Sequence, residues 1–193
     1  MRREQPRGRG YRVFLSAAIG LVAYSAFASL PVTVSNSHAR EGLRKDALRA
    51  GYLFNFMKFV DWPPTRPLDS FTVCFVGESG VYDELAAVLP DKRLGARRLE
   101  ARRVSAEQTL SPCEVLFIDA GELAAVASSI GARPIALLTV SDAPDFLESG
   151  GIIELFDEGN RLRFRVSLEN ARRANLHISS SLLQLASSVE RET

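Results

Sequence analysis

The chain contains 193 residues, with 24 basic and 23 acidic side chains and a formal net charge of +1. The balance is near neutral overall and slightly acidic beyond residue 39, so a general electrostatic attraction to DNA or RNA is not expected. His177 is the only histidine beyond residue 39, which leaves little basis for a multi-histidine metal site or a His-based catalytic triad.

The N-terminal segment predicts a secretory signal peptide. Five arginines precede the uncharged run Val13–Leu30, and small residues then form cleavage motifs that end at Ala28 and Ala39. The alternative is a transmembrane anchor, because the run approaches the roughly 20 residues that span a bilayer. The cleavage motifs favour removal, and no cysteine follows directly to carry a lipid. We therefore expect residues 1–39 to be the signal peptide and residues 40–193 to be an exported, periplasmic domain.

The aromatic-rich segment AGYLFNFMKFVDWPP, at residues 50–64, is predicted to belong to a buried helix. Between residues 40 and 60 apolar side chains recur at helical spacing and define one face through Leu48, Tyr52, Phe56 and Phe59. Neighbouring apolar residues widen this face until the helix is apolar nearly all round, as in a core helix. A membrane-surface helix would need a charged face that is missing. A dimer or partner surface anchored by Tyr52 and Trp62 stays open as an alternative.

The next segments alternate between strand and helix signals. Apolar runs predict buried strands at FTVCFVG, CEVLFIDA and PIALLTVSD, and RRLEARRVS alternates as a further strand. Helices are predicted at VYDELAAVLP and GELAAVASSIGA. Apolar strands that alternate with helices are typical of a parallel sheet covered on both faces. The predicted fold class is therefore α/β, a three-layer sandwich with a mostly parallel sheet.

A C-terminal antiparallel hairpin is predicted in GGIIELFDEGNRLRFRVSL, around the turn DEGN. In its second strand three apolar residues alternate with three arginines, which gives the hairpin one basic face. These arginines could pair with an acidic partner or with Glu154 and Asp157 across the hairpin, and the local pairing is preferred. We expect this hairpin at a sheet edge, where a free strand could pair with a partner. The predicted partner-binding residues are Ile152, Ile153, Phe156 and Arg165. In the tail, Asn175 is expected to end a short helix in the left-handed conformation and serines 179–181 to cap a final helix.

The two cysteines, Cys74 and Cys113, predict a disulfide. An even number of cysteines in an exported chain favours pairing. Each cysteine belongs to a predicted buried strand, and neighbouring strands lie about 5 Å apart, close enough to be bridged. The alternative is two buried free thiols that never meet.

Sequence motifs for catalysis or cofactor binding are scarce. Gly77 and Gly80 mark a strand-to-helix turn but lack the dinucleotide and Walker patterns, and Glu78 would repel a phosphate, so a tight turn is the preferred interpretation. Carboxylates follow predicted strands or begin helices, where they favour the helix dipole, at Asp119, Glu122, Asp142, Asp145 and Glu148. A pair of them could serve acid–base or metal chemistry, with Asp119 and Asp142 the candidates for a hydrolase. We predict no catalytic site, no metal and no cofactor.

Several stretches together resemble the YfiR family of periplasmic proteins. They are AGYLFNFMKFVDWP, FTVCFVGES, CEVLFID, LLTVSDAPDFLESGGII and RLRFRVSLENARRANLHISSSLLQLAS. The resemblance implies a repressor that binds an inner-membrane diguanylate cyclase of the YfiN type and lowers cyclic di-GMP. It also implies a homodimer, a supporting Cys74–Cys113 disulfide, and an outer-membrane lipoprotein that releases the repression.

The chain departs from the family pattern at the strand predicted to contact the partner. Arg165 replaces an acidic position and Ser167 an asparagine, so the charge presented to a partner is reversed. A second disulfide described for some members has no cysteines here. The alternative function is an exported small-ligand-binding or sensor module without a cyclase partner.

Overall fold

A computed structural model describes residues 37–63, 69–106, 113–130 and 136–191 of the chain. These residues belong to one compact unit. The predicted signal peptide falls outside them, except for its last three residues, with which the first helix begins. Within the described ranges, no helix is both long enough and apolar enough to cross a membrane.

The elements are numbered in chain order within the described residues. The helices are α1 Ser37–Phe56, α2 Val81–Val88, α3 Leu123–Ile130, α4 Leu168–Arg173 and α5 Ser180–Leu183. The strands are β1 Val60–Asp61, β2 Ser70–Val76, β3 Arg93–Leu94, β4 Arg97–Arg103, β5 Val115–Ile118, β6 Leu138–Ser141, β7 Ile153–Glu158, β8 Arg161–Ser167, β9 His177–Ile178 and β10 Ser188–Glu190.

The main sheet of the described residues has eight strands in the order β10-β8-β7-β6-β5-β2-β4-β3. Its five central strands, β4-β2-β5-β6-β7, are parallel, whereas β7 and β8 form an antiparallel hairpin. Helices α1 and α2 pack on one face of the sheet and α3 on the other. The predicted three-layer α/β class is confirmed. After β2 the chain forms β4 on one side of it and then crosses to form β5 on its other side. The strand order therefore reverses between β2 and β5, as in doubly wound folds.

The aromatic segment contributes to the core, but with a different buried face from the predicted one. Ala50, Leu53, Phe56 and Met57 are buried, whereas Leu48 is 45% exposed and Phe59 is 36% exposed. Helix α1 also ends at Phe56, before the prolines, because the chain turns there and Val60 and Asp61 pair with β9. The indole N–H of Trp62 donates to the carbonyl of Met57, the residue directly after α1.

The C-terminal hairpin is present, but it does not lie at the edge of the sheet. Strand β10 runs parallel to β8 on its outer side, with Val189 opposite Val166. The sequence predicted a final helix here. Ser179 does cap such a helix by accepting from Leu182 N–H, but the helix lasts only one turn. The N–H of Ser187 then donates to the carbonyl of Phe164 and directs the chain along β8. The free strand edge expected at this hairpin is therefore covered.

The connection from β6 to β7, residues 142–152, forms successive turns instead of a helix. Polar side chains hold its backbone: Glu154 accepts from Phe146 N–H, Thr139 accepts from Ile152 N–H, and Asn170 donates to the carbonyl of Gly151. A Cβ atom on Gly151 would overlap the ring of Phe146. The stretch TVSDAPDFLESGG therefore supplies Thr139, Phe146 and Gly151 to the packing of this connection.

Candidate functional site

In doubly wound sheets, ligands bind beyond the carboxyl ends of the strands at the point where the strand order reverses. Here Gly77 follows β2 and Asp119 follows β5 at that point. The Asp119 carboxylate accepts a 2.7 Å hydrogen bond from Ser79 N–H, and a Cβ on Gly77 would overlap this carboxylate. A negative side chain therefore lies at the strand-to-helix turn where a phosphate would bind, which agrees with the interpretation of Gly77 and Gly80 as a tight turn.

Helix α1 supplies further charged side chains to the same end of the sheet. Arg49 Nε lies 3.3 Å from a carboxylate oxygen of Asp142, just after β6, and its other nitrogens lie 3.7 Å from Asp46 and 3.9 Å from Asp157. Lys45 reaches Asp157 at 3.1 Å. Asp46 packs beside Gly80 at the start of α2, where the helix dipole favours an anion. The network joins α1 to the main sheet and to α2.

Two carboxyls of this network have raised pKa values. Burial raises the pKa of Asp142, against the opposing attraction of Arg49 and a hydrogen bond from Ala120 N–H. Burial likewise raises the pKa of Asp46, again opposed by Arg49, with the negative charge of Asp142 adding to the rise. Raised carboxyl pKa values can mark catalytic acids, but ion-pair networks produce them too. The carboxylate of Asp119 accepts a hydrogen bond from Ser79 N–H, and that of Asp142 accepts one from Ala120 N–H. This geometry indicates a structural role for both carboxylates.

The other predicted acidic candidates do not join this cluster. Glu122 lies in a 3-10 turn, and Asp145 and Glu148 are exposed in the connection between β6 and β7. His177 is an exposed residue of β9, and its Nδ1 lies 3.1 Å from a carboxylate oxygen of Asp61 on the paired strand. Among the described residues, no three His, Cys, Asp or Glu side chains are placed to hold a metal ion.

The predicted disulfide is confirmed. Cys74 in β2 is bonded to Cys113, which lies two residues before β5, and their Cα atoms are 5.8 Å apart. Strands β2 and β5 are parallel neighbours, so the bond links β2 to the segment that leads into the adjacent strand. Cys74 is fully buried on the face that α3 covers. The bond closes a sequence separation of 39 residues, which includes β4 and the 107–112 segment.

The predicted partner-binding residues divide into buried and accessible ones. Ile152 and Ile153 are fully buried, so their side chains support the hairpin and do not form its surface. Arg165 is 42% exposed and lies over the ring of Phe156, 4.6 Å from its centre. The same guanidinium lies 3.6 Å from the Glu154 carboxylate, which is buried. Phe156 and Arg165 therefore form the accessible part of the predicted surface.

Sequence reasoning missed Arg49, the side chain that organises the carboxyl end of the sheet. A signal was present, because a charge on the sheet-facing side of a helix needs a partner. Asp46 lies three residues before Arg49 on the same helix, a spacing that makes the two side chains neighbours. Asp142 and Asp157 come from two distant segments, and no spacing rule in the sequence brings those segments to Arg49.

The fold and the site define a disulfide-linked, doubly wound α/β domain whose central polar side chains serve its own structure. The sequence profile of the YfiR/HmsC-like family matches residues 46–187. The chain therefore belongs to the YfiR/HmsC-like family, a family of periplasmic, regulatory and non-catalytic proteins associated with the diguanylate cyclase pathway.

No curated protein matches the chain significantly. Among solved structures, the chain is similar to a conserved domain protein from Vibrio cholerae O1 biovar El Tor str. N16961, with a TM-score of 0.48 and 9% sequence identity. The similarity covers 73% of this chain and 60% of that protein, so the chain spans little more than half of its length. A similarity this distant carries no conclusion about function.

Proposed function

We propose that this protein binds the periplasmic part of an inner-membrane diguanylate cyclase of the YfiN type and represses it, which lowers cyclic di-GMP. The family match over residues 46–187 carries the proposal. The Cys74–Cys113 disulfide supports it, because such bonds persist in oxidising compartments such as the periplasm. The same reasoning extends to an exported chain whose first 39 residues are removed.

The surface proposed for the cyclase is centred on Phe156 and Arg165. Aromatic residues, phenylalanine included, and arginine are both enriched at protein–protein interfaces. The side chains of Ile152 and Ile153 are buried, so they pack beneath this surface and support it without contacting a partner. Arg165 presents a positive charge, so we propose that the cyclase contributes an acidic group at this point of contact.

A homodimer and an outer-membrane lipoprotein complete the proposal. Leu48 and Phe59 are large apolar side chains that α1 and the turn after it leave exposed. Such residues suit contact with a second copy better than contact with water. The lipoprotein would compete with the cyclase for this protein and so release the repression.

The test is to measure cellular cyclic di-GMP in the native host with and without the gene. Deletion should raise cyclic di-GMP, and a plasmid copy of the full chain should restore the original level. A copy lacking residues 1–39 serves as the control, because it stays in the cytoplasm and should not restore repression. An unchanged level after deletion, with export of the protein confirmed, would contradict the proposal and favour the ligand-binding alternative.

A further inference from the structure

The far edge of the sheet, opposite the hairpin, has an open strand. Strand β4 pairs with β2 from Arg98 to Arg103. On its outer side β3 lies opposite Arg97 and Arg98 alone, and the N–H of Leu99 donates to the carbonyl of Lys92. The N–H groups of Arg98 and Val104 donate to the β2 side. By alternation, the backbone groups of Ala101 and Arg103 point outward. Among the described residues, no strand pairs with them, so β4 presents a short free edge.

The arginines of β4 fall into two groups by face. On the α2 face, Arg97 is paired with Glu114, and Arg103 contacts Glu78 and Asp83. On the opposite face, Arg98 and Arg102 are both exposed and have no ion-pair partner among the described residues. Only one group of arginines therefore stabilises the fold.

The exposed arginines belong to a larger basic group at this edge. Arg93 of β3 lies directly opposite Arg98, and like charges in that position destabilise a strand pair. Lys92 precedes Arg93 and adds a further positive charge. Two exposed acidic residues lie in the same region, Asp91 before Lys92 and Glu100 between the two exposed β4 arginines. The four basic side chains therefore outnumber the acidic ones. We define the basic edge as Lys92, Arg93, Arg98 and Arg102. Its sign is opposite to the slightly acidic balance of residues 40–193.

We propose that the basic edge binds an extended acidic segment of a partner protein, which adds to the sheet as a strand beside β4. Two independent features support this occupant. The outward backbone groups of Ala101 and Arg103 can form hydrogen bonds with an added strand. On the exposed face beside this open stretch, an acidic residue of the added strand would meet Arg102 directly. A second acidic residue, where the strand ends against β3, would reach the side chains of Arg93 and Arg98.

An anionic membrane surface is the competing occupant, and the open edge argues against it. Lipid headgroups would use the positive charges of the basic edge but not the outward N–H and C=O groups of β4. An extended peptide uses both. The basic edge and the Phe156–Arg165 surface lie at opposite ends of the eight-stranded sheet, separated by β2, β5 and β6. Occupation of one surface therefore leaves the other accessible.

The charge requirement can be tested with the full mature chain and short fluorescent peptides, by anisotropy. The acidic probe alternates glutamate with threonine, and the basic probe replaces each glutamate with lysine. The wild type should bind only the acidic probe. The double variant Arg98→Glu/Arg102→Glu should bind it about tenfold more weakly, since two attractive contacts become repulsive. Arg40→Glu/Arg44→Glu is the matched control, because these α1 arginines are also exposed and four residues apart.

The strand-addition requirement is tested by Ala101→Pro. The Ala101 N–H points away from β2, so proline removes an outward donor and blocks the edge while leaving the β2 ladder intact. A melting curve for each variant confirms that it is folded. If Ala101→Pro proves unfolded, a probe with proline at alternate positions tests the same hydrogen bonds on the wild type and should not bind.

The outcomes separate the competing explanations. The proposal is supported if both the charge reversal and the blocked edge weaken binding of the acidic probe while the control pair does not. It is overturned if the acidic probe does not bind, or if the control pair weakens binding equally. It is also overturned if only charge matters and phosphatidylglycerol vesicles bind the wild type and Ala101→Pro alike, which would identify a membrane surface.

Discussion

The guanidinium of Arg49 and the carboxylate of Asp142 lie 3.3 Å apart and connect the first helix to the end of β6. Both side chains are largely shielded, with exposed fractions of 14% and 24%. The contact closes the end of the sheet where related α/β topologies bind ligands. In this protein that region therefore contributes to stability, and accessible surfaces elsewhere carry the proposed binding.

The first prediction concerns the pH dependence of stability. Burial raises the pKa of Asp142 above its ordinary value of 3.8. A carboxyl with a raised pKa binds its proton more tightly in the folded state, so its contribution to the free energy of unfolding falls as pH rises through that window. Asp142→Asn removes this titration. The free energy of unfolding of the wild type minus that of the variant should therefore increase as pH falls from about 7 to about 4.

This difference can be measured by urea unfolding at several pH values. Acid titration of carboxylates outside the Arg49 network is common to both proteins and cancels in the difference. The titration of Asp46 does not cancel, because the charge of Asp142 contributes to its raised pKa, but this change adds to the difference in the same direction. A difference that decreases toward low pH would mean that the attraction of Arg49 outweighs burial, contrary to the prediction.

The second prediction concerns the disulfide. Reduction of Cys74–Cys113 should lower the free energy of unfolding by about 4 kcal/mol, because the open chain regains the entropy of a loop of 39 residues. Urea unfolding of the oxidised and reduced protein measures the change. Equal midpoints for the two forms would contradict a stabilising role for the bond.

The third prediction concerns two glycines with opposite outcomes. Gly151→Ala should lower the free energy of unfolding by about 1–3 kcal/mol, since the added Cβ would overlap the ring of Phe146. Gly51→Ala is the control on the exposed side of α1, where a Cβ meets open space. It should raise the free energy of unfolding by about 0.5–1 kcal/mol through helix propensity. Thermal unfolding distinguishes the two directions, and a neutral Gly151→Ala would contradict the tight packing.

The fourth prediction concerns the surface proposed for the cyclase. Arg165→Glu should weaken binding to the purified periplasmic domain of the cyclase by about tenfold or more, because an attractive charge becomes repulsive. Arg161→Glu is the control for net charge, since it lies on the same strand and is also exposed. Surface plasmon resonance measures both affinities.

Arg165→Glu also places a negative charge beside the buried Glu154, which could unfold the hairpin. Arg165→Gln avoids this repulsion and should still weaken binding, though by less. If both Arg165 variants are folded and bind with the affinity of the wild type, the Phe156–Arg165 surface is not the contact.

Much of the fold could be predicted from the sequence because strand and helix signals are local. The apolar run containing Cys74 became β2, the turn DEGN became the β7–β8 hairpin, and Asn175 adopts the predicted left-handed conformation with φ of 55°. The disulfide was also predictable, since each cysteine lies in or next to a run that forms a buried strand. These features depend on side-chain periodicity and on backbone preferences of single residues.

The errors occurred where distant segments compete for the same backbone groups. Helix α1 was expected to continue to Val60, but pairing of Val60 with Ile178 draws the chain out of the helix. The expected final helix gave way to β10 because β8 had an unpaired side. Neither competitor is visible in the local sequence.

The sequence by itself determined the class of the fold, the cysteine pairing and the family, because all three depend on the order and type of residues along the chain. Only the tertiary structure decided which strand edges are covered and which charges have partners. It buried Ile152 and Ile153, left Phe156 and Arg165 accessible, and left Arg98 and Arg102 unpaired among the described residues. The physical reason is that burial and ion pairing depend on contacts between segments far apart in the chain.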